Sequence, residues 1–254
     1  MHLEAYSALA TLYDALADDY DYARWSAFYI NELEKEGIKS GAYIADAACG
    51  TGNMAIPLKK KGFDVIGFDK SVEMLEVAAD KMRKEGLAFP LARMELASFA
   101  LPRKADAVVC SCDGVNYLTK NEEAEAFFSH AFDSLKSGGL LMFDISSAYK
   151  LQHILGNELF AEERDDISYI WSNNFVDKCC LLKMDITFFI RQPNGLFKRE
   201  IELHEQRAYK KEEVEAMLGA SGFKLKGIYG GLSAKPPKED SLRIHFVAQK
   251  PYNA

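Results

Sequence analysis

A glycine turn near residue 50 constrains the fold of this chain more than any other sequence feature. The preceding residues, 42–47, are small and apolar apart from Asp46, which predicts a short buried parallel strand. Gly50 and Gly52 supply a tight turn, and from about Asn53 the sequence is compatible with a helix. A strand, a glycine turn and a helix in this order let a ligand approach the backbone and point helix N–H groups at its polar end. We therefore predict a nucleotide-type cofactor site in an α/β fold.

An acidic residue follows at a position that suits ribose binding. The next predicted strand, 64–68, ends at Asp69, which is 19 positions after Gly50. A carboxylate at the tip of the neighbouring parallel strand can accept hydrogen bonds from both hydroxyls of a ribose. The pattern Gly50-x-Gly52-x-x-Ala55 also matches the loose dinucleotide fingerprint, so these residues by themselves fit an NAD(P)-dependent oxidoreductase as well.

The turn resembles the first motif of class I S-adenosylmethionine-dependent methyltransferases, which reads roughly (D/E)-x-G-x-G-x-G. The motif here is Asp46-x-x-Cys49-Gly50-Thr51-Gly52, and Ala48 stands in place of the first glycine. Alanine adds only a methyl group, so we expect a slightly shifted turn rather than an abolished site. The chain after Asp69 also lacks the second cofactor-binding half of a dehydrogenase. The resemblance covers essentially the whole chain and is most specific at residues 42–69.

This resemblance implies an α/β fold with a Rossmann-like, seven-stranded, mostly parallel sheet. The last two strands, predicted at 223–229 and 242–250, are joined by a loop alone and must form an antiparallel final hairpin. Residues 1–147 and 209–254 are expected to form the cofactor-binding domain. N-terminal helices within residues 1–40 are expected to cap it.

Local patterns place the helices and an inserted unit. Apolar residues fall at helical spacing within residues 4–17, and a second helix follows Asp21, which suits an N-cap. Thr119-x-x-Glu122 is a predicted capping box at the start of a later helix. Strand-like patterns at 168–175, 179–190 and 197–208 predict that residues 148–208 form an inserted antiparallel β lid.

The resemblance implies which residues bind S-adenosylmethionine and its product S-adenosylhomocysteine. Asp69 is expected to take the ribose hydroxyls, and Asp46 to orient the turn or to act through water on the ammonium of the cofactor. Asp113 is expected at the boundary between cofactor and methyl acceptor. For Lys70 and Met74, packing or solvent exposure remains the alternative. The expected cofactor-binding set is Asp46, Ala48, Cys49, Gly50, Gly52, Asp69, Lys70, Met74, Met94 and Asp113.

The methyl acceptor cannot be identified from the sequence, and neither can a catalytic residue. A sulfonium is already an activated methyl donor, so the enzyme needs no nucleophile motif. Along residues 202–207, alternation puts His204 with Gln206 on one face and Glu205 with Arg207 on the other, although a solvated surface strand is an alternative interpretation. The acceptor-side candidates are Tyr13, Asp113, His204 and Arg207, with Tyr117, Tyr149 and His153 as further candidates.

Composition narrows the class of partner. The 254 residues carry a net charge of −7, which argues against a broad nucleic-acid surface and favours a small-molecule acceptor. The chain has no secretory leader pattern and no apolar run of the roughly 18 residues that span a bilayer, so we expect a cytoplasmic protein without membrane association. The five cysteines lack zinc-ligand spacing, which predicts reduced thiols and no metal site.

The sequence thus predicts a methyltransferase that uses S-adenosylmethionine and acts on a small molecule. Two alternatives remain open at this point: an NAD(P)-dependent oxidoreductase with the same glycine turn, and a non-enzymatic module that binds S-adenosylmethionine. The oligomeric state is not determined by the sequence.

Overall fold

The computed structural model describes residue 10, residues 12–16 and residues 21–252. Within these residues the chain forms a seven-stranded mixed sheet flanked by helices, together with a separate four-stranded antiparallel sheet. None of the helices in this part of the chain combines the length and the apolar character that crossing a bilayer requires.

The large sheet contains the strands that carry the predicted glycine turn. Its strands are β1 (Tyr43–Ala47), β2 (Asp64–Asp69), β3 (Leu91–Arg93), β4 (Ala105–Cys110), β5 (Leu135–Ser146), β10 (Lys224–Gly230) and β11 (Arg243–Gln249). Their order across the sheet is β10-β11-β5-β4-β1-β2-β3. The first five strands pair in parallel, whereas β11 is antiparallel to both β5 and β10. The predicted mostly parallel sheet with an antiparallel final hairpin is therefore confirmed.

The helices connect the strands and cover both faces of the sheet. They are α1 (Tyr13–Leu16), α2 (Tyr22–Lys35), α3 (Ala55–Lys60), α4 (Val72–Lys84), α5 (Asn121–Ser134) and α6 (Lys211–Ala220). Of the helix predicted for residues 4–17, the structure shows α1, while residues 4–9, 11 and 17 lie outside the described residues. The second predicted helix is α2, and the Asp21 carboxylate caps it by accepting the Arg24 N–H at 2.9 Å.

Each face of the large sheet packs against its own hydrophobic cluster. Along β1, Ala45 belongs to the cluster that includes Phe127 of α5, whereas Ile44 belongs to the cluster that includes Leu33 of α2. Successive residues of a strand point to opposite faces of its sheet. The sheet therefore lies between two helical layers, and its carboxyl-terminal edge is left to form the site.

The start of α5 differs from the prediction by one residue. The helix begins at Asn121, and Glu123 rather than Glu122 accepts the N–H of Lys120, at 3.4 Å. Lys120 keeps an extended backbone, with φ −109° and ψ 147°, so the first helical turn starts one residue later than Thr119 would set it. The predicted capping box at Thr119 is wrong by that one residue.

The second sheet contains four strands rather than the three that the sequence predicts. They are β6 (Leu159–Glu163), β7 (Ile167–Val176), β8 (Leu181–Arg191) and β9 (Phe197–Arg207), in that order across the sheet. The prediction missed β6, a five-residue edge strand with two glutamates and no β-branched residue, which gives little strand signal. We call this sheet, β6 to β9, the lid.

A stacked aromatic pair allows a test of the core that supports the site. Phe143 of β5 and Phe246 of β11 stack with ring centroids 4.9 Å apart and are almost completely buried. We expect Phe246→Ala to lower the free energy of unfolding by about 3–5 kcal/mol. The control is Phe197→Ala, which removes a half-exposed ring and should change stability by less than about 0.5 kcal/mol. Urea unfolding followed by fluorescence measures both, and equal losses would contradict this account of the core.

Candidate active site

A cavity of about 400 Å³ lies where the loops after β1, β2 and β4 meet. The carboxyl ends of these strands share one edge of the sheet, and ligands of open α/β folds bind at this edge. A cavity of this volume is of the size that small-molecule and cofactor sites have. The cavity wall includes the predicted residues Tyr13, Ala48, Cys49, Gly50, Asp69, Lys70, Met74 and Met94.

The glycine turn keeps its shape despite the alanine at its first position. Ala48 has φ 52°, in the left-handed region that favours glycine, and Gly50 and Gly52 have φ 52° and 82°. For an alanine this conformation costs roughly 1–2 kcal/mol, so the surrounding contacts must hold the turn in place. The loop after β4 packs directly on Ala48, because a Cβ built at Gly114 would lie only 3.2 Å from the Cβ of Ala48. Gly114 also lies on the cavity wall.

Asp69 joins the end of β2 to the turn after β1. Its Oδ2 atom accepts the N–H of Gly50 and its Oδ1 atom accepts the N–H of Ser71, each at 2.9 Å. Burial raises the pKa of Asp69, and these two N–H groups together with the charge of Lys70 oppose that rise. Each carboxylate oxygen can accept a second hydrogen bond. The carboxylate on the cavity wall can therefore also bind the two hydroxyls of a ribose.

Asp46 lies beneath the turn as a buried acid. The side chain is fully buried, and neither carboxylate oxygen has a hydrogen-bond partner among the residues that the structure describes. Burial raises the pKa of Asp46 to about 8, and the charge of Asp69 adds to the rise. This acid is therefore protonated at neutral pH, and a ligand that brings positive charge near it, as the ammonium of S-adenosylmethionine would, favours its ionised form.

Three residues of the predicted cofactor set are not on the cavity wall. Asp46 and Gly52 lie behind the turn, and Asp113 lies beside the cavity. The wall instead includes several residues that the sequence analysis did not select, among them Tyr22, Thr51, Asn53, Glu95, Ser111 and Cys112. Thr51 lies within the glycine turn and Asn53 follows it directly, so their position in the motif was the signal that could have identified them.

Asp113 connects the loop after β4 to the lid and to the final hairpin. Its carboxylate accepts one hydrogen bond from Arg243 and one from Gln206 of the lid, each at 2.7 Å. Burial would raise the pKa of Asp113, but the charges of Arg243 and Lys150 and the two hydrogen bonds hold it below its usual value. The same arginine also contacts Asp144. Asp113 is therefore an anchor between three elements in this structure.

The four acceptor-side candidates lie in different places. Tyr13 is on the cavity wall, and burial is the main reason that the pKa of its hydroxyl is raised. His204 lies on the buried face of β9, within hydrogen-bond distance of the cavity residue Tyr117. Arg207 is not on the cavity wall, and its guanidinium lies over the ring of Tyr209. Along β9, therefore, His204 shares its buried face with Gln206, while Glu205 is exposed.

The short helix α1 lies between the lid and the glycine turn. The Asp14 carboxylate accepts hydrogen bonds from the side chains of Thr51, Asn53 and Lys81, each at 2.8 Å. On its other side, α1 packs against Phe188 of the lid. The helix therefore closes one side of the cavity and limits the access of water to it.

Together these features define a class of enzyme. The sheet order with its antiparallel final hairpin, the glycine turn, and a carboxylate positioned for ribose at the tip of the next strand are the features of a class I methyltransferase fold. The carboxylate on the cavity wall fits one nucleoside, and the strands that the structure describes form no second nucleotide-binding half.

Comparison with known proteins gives the same class. Residues 44–139 match the family described as methyltransferase domain. A putative methyltransferase of Geobacillus sp. (strain WCH70) is 33% identical over 245 residues, which is 96% of this chain and 99% of the relative. The putative methyltransferase YqeM of Bacillus subtilis (strain 168) is 35% identical over 246 residues, which is 96% of this chain and 97% of the length of YqeM.

A solved structure agrees over nearly the whole chain. The crystal structure of an S-adenosylmethionine-dependent methyltransferase from Clostridium acetobutylicum ATCC 824 has a TM-score of 0.88 and 34% identity, with 97% of this chain and 99% of that chain covered. The chain belongs to the class I S-adenosylmethionine-dependent methyltransferases. The predicted enzyme class and cofactor are confirmed. We therefore set aside the two alternatives, an NAD(P)-dependent oxidoreductase and a non-enzymatic binding module.

The Asp69 carboxylate provides a direct test of cofactor binding. We expect Asp69→Ala to weaken S-adenosylhomocysteine binding on the order of 100-fold or more, because hydrogen bonds to a charged group contribute about 1.5–3 kcal/mol each. Isothermal titration calorimetry measures the dissociation constant. Asp64→Ala is the matched control, since Asp64 begins the same strand at its other end and pairs with Arg103 on the surface. Unchanged binding by the Asp69 variant would contradict the site.

The raised pKa of Asp46 predicts how stability depends on pH. An unfolded aspartate has a pKa of about 4, so between about pH 4 and pH 8 the folded protein keeps a proton that the unfolded chain loses. Stability should therefore fall as pH rises through this window, by at most about 1.4 kcal/mol per pH unit from this residue. Asp46→Asn removes this contribution. Urea unfolding at a series of pH values measures the free energy of unfolding of both proteins. From about pH 4 to pH 8 the free energy of unfolding should fall more for the wild type than for Asp46→Asn. An equal dependence on pH in the two proteins would contradict the raised pKa.

Proposed function

We propose that this enzyme transfers the methyl group of S-adenosylmethionine to the nitrogen of a small-molecule amine. The observation that carries the proposal is the cavity of about 400 Å³, which is of small-molecule size and is bordered by a loop that the lid contacts. Three contacts join the lid to the loop after β4 beside the cavity: Gln206 to Asp113 at 2.7 Å, the Asn116 side chain to the Arg207 carbonyl at 2.8 Å, and Tyr117 to His204 at 3.1 Å. A cavity of this size, with the lid fixed beside it, suits a small acceptor better than a folded macromolecule.

In this proposal each segment around the cavity has a role. Asp69 holds the ribose hydroxyls, and the backbone at Ala48, Cys49 and Gly50 contacts the rest of the cofactor. Lys70, Met74 and Met94 line the adenosine, and residues 148–208 act as a substrate lid on a domain formed by residues 1–147 and 209–254. When bound, the cofactor supplies its methyl group from the sulfonium, so that a bond to the acceptor nitrogen forms as the carbon–sulfur bond breaks and leaves its electron pair on sulfur.

Named relatives support nitrogen as the accepting atom. The glycine/sarcosine N-methyltransferase of Halorhodospira halochloris is 29% identical over 119 residues, and a dTDP-linked amino-sugar N,N-dimethyltransferase of Streptomyces venezuelae is 25% identical over 217 residues. A tRNA (guanine(10)-N2)-dimethyltransferase of Methanothermobacter thermautotrophicus is 27% identical over 134 residues. All three names specify a nitrogen acceptor, and two of them a small molecule.

The charge of the cavity favours a cationic amine over a polyanion. Among the described residues on the cavity wall, the carboxylates of Asp69, Glu95 and Glu123 outnumber the one lysine, Lys70. The protein as a whole is also negatively charged, with a net charge of −7. A phosphate-rich acceptor such as tRNA would meet repulsion at this surface, whereas an ammonium group would be attracted.

We also propose a cytoplasmic location. The five cysteines are free thiols in the structure, and Cys179 and Cys180 are exposed to solvent. Exposed adjacent thiols are compatible with a reducing compartment.

Transfer of labelled methyl groups tests the proposed acceptor class. The enzyme is incubated with S-adenosylmethionine carrying a tritiated methyl group and, in separate reactions, with glycine, sarcosine, the ultrafiltrate of a bacterial metabolite extract, total tRNA and extracted protein. We expect label in amine-containing molecules of the ultrafiltrate, and none with Asp69→Ala. Label that appears only in tRNA or protein would overturn the proposal of a small-molecule acceptor.

A further inference from the structure

Three side chains form a continuous hydrogen-bonded chain from the cavity wall into the lid. Tyr117 lines the cavity, and its hydroxyl lies 3.1 Å from the Nδ1 atom of His204. The Nε2 atom of the same imidazole lies 3.0 Å from Oε2 of Glu202. Glu202 is fully buried and His204 is 3% exposed, so these hydrogen-bonded side chains are shielded from solvent on the side away from the cavity.

The backbone holds Tyr117 in a fixed position relative to His204 and Glu202. Glu202 and His204 are two residues apart on β9 and therefore lie on the same, buried face of the lid. Tyr117 ends the single 3-10 turn that follows β4. The adjacent Asn116 side chain bonds to the backbone of Ser146 in β5 and to the carbonyl of Arg207 in β9. The turn and the lid strand are therefore held together within one residue of Tyr117.

The order of donors and acceptors follows from the chemistry of the groups. The relay requires an ionised Glu202, whose carboxylate can only accept hydrogen bonds and which would therefore place the imidazole proton on Nε2 of His204. The Nδ1 atom then carries a lone pair and accepts the hydroxyl proton of Tyr117. The Tyr117 oxygen keeps lone pairs that can accept a proton from a molecule in the cavity. This is the arrangement of a base that is oriented by a buried acid and acts through a hydroxyl.

The proposed reaction requires a group that removes a proton from the acceptor, and Tyr117 lies on the cavity wall where such a group is needed. An alkyl amine with a pKa like that of lysine is protonated at neutral pH, and only on the order of one molecule in a thousand has a free lone pair. An ammonium nitrogen has no lone pair with which to attack a methyl group. The enzyme must therefore remove a proton from the bound acceptor before transfer can occur.

We infer that Tyr117, His204 and Glu202 form a proton relay that deprotonates the ammonium group of the acceptor; this inference rests on the proposed amine substrate. An N–H bond of the acceptor breaks and its proton bonds to the Tyr117 oxygen, while the hydroxyl proton of Tyr117 moves to Nδ1 of His204. The acceptor nitrogen keeps the electron pair. The imidazolium that forms pairs with the carboxylate of Glu202. Tyr117 is the catalytic residue, and His204 and Glu202 are positioning residues that act through it.

A purely structural role, in which His204 only pins the lid to Tyr117, gives different expectations. His204→Asn places an oxygen near the position of Nδ1, where it can still accept the hydroxyl of Tyr117, but asparagine cannot take up a proton. A structural contact should survive this change, whereas a proton relay should not. Glu205→Gln is the matched control for Glu202→Gln, because Glu205 lies on the opposite, exposed face of the same strand and pairs with Lys183 at the surface.

Nuclear magnetic resonance tests the relay without any acceptor. The chain has five histidines, so the ¹⁵N signals of His204 in the S-adenosylhomocysteine complex can be assigned by comparison with His204→Asn. The relay requires the neutral ring to carry its proton on Nε2, and Tyr117→Phe should shift the Nδ1 signal because that atom loses its donor. A neutral ring protonated on Nδ1 would overturn the relay, since that atom could not accept the proton of Tyr117.

Methyl transfer into the metabolite ultrafiltrate tests the catalytic role. Tyr117→Phe, His204→Asn and Glu202→Gln should each lower transfer about 100-fold while binding of S-adenosylhomocysteine is unchanged, and Glu205→Gln should behave as the wild type. The double variant Tyr117→Phe/His204→Asn should lose no more than either single variant, because the residues act as one unit. Wild-type transfer by His204→Asn would overturn the relay. Failure of the proposed function looks different: the wild type itself would label no small molecule, whatever the tautomer of His204.

Discussion

The hydrogen bond between the Gly50 N–H and the Asp69 carboxylate is the interaction on which the site depends. It joins the turn after β1 to the tip of β2 at 2.9 Å, and the Ser71 N–H holds the other carboxylate oxygen at the same distance. With both oxygens fixed, the carboxylate is oriented before any ligand arrives, which reduces the entropy lost on binding. Within this anchored turn Ala48 takes the left-handed conformation, so the turn forms without the first glycine of the family pattern.

A second set of charges couples the lid to this edge of the sheet. Arg243, on the final hairpin, contacts both Asp113 and Asp144, and Gln206 of the lid bonds to Asp113. The backbone N–H groups of Cys112 and Asp113 also donate to Asp144, at 2.8 and 3.0 Å. Buried charges of this kind are stable only when each is paired and hydrogen-bonded. The final hairpin, the loop after β4 and the lid therefore meet at one cluster beside the cavity.

Local signals in the sequence predicted the fold and the centre of the site, whereas contacts between distant segments could not be predicted. The spacing of Gly50 and Asp69 identified their proximity because consecutive parallel strands place their tips side by side. The weak edge strand β6 was missed because five residues with two glutamates carry little pattern. The contact of Tyr117 with His204 joins residues 87 positions apart and depends on how the lid docks, which no local pattern encodes. Asp113 was selected for its loop position, and its arginine partner lies 130 positions away.

A crystal structure of the complex with S-adenosylhomocysteine would show whether Gly50 and Asp69 hold the cofactor. We predict that both ribose hydroxyls lie within hydrogen-bond distance of the Asp69 carboxylate while the hydrogen bond from the Gly50 N–H to Asp69 is retained. We also predict adenine beside Met94 and the thioether sulfur facing the side of the cavity that Tyr117 lines. A ligand bound elsewhere, or a ribose that leaves Asp69 without contact, would contradict the account.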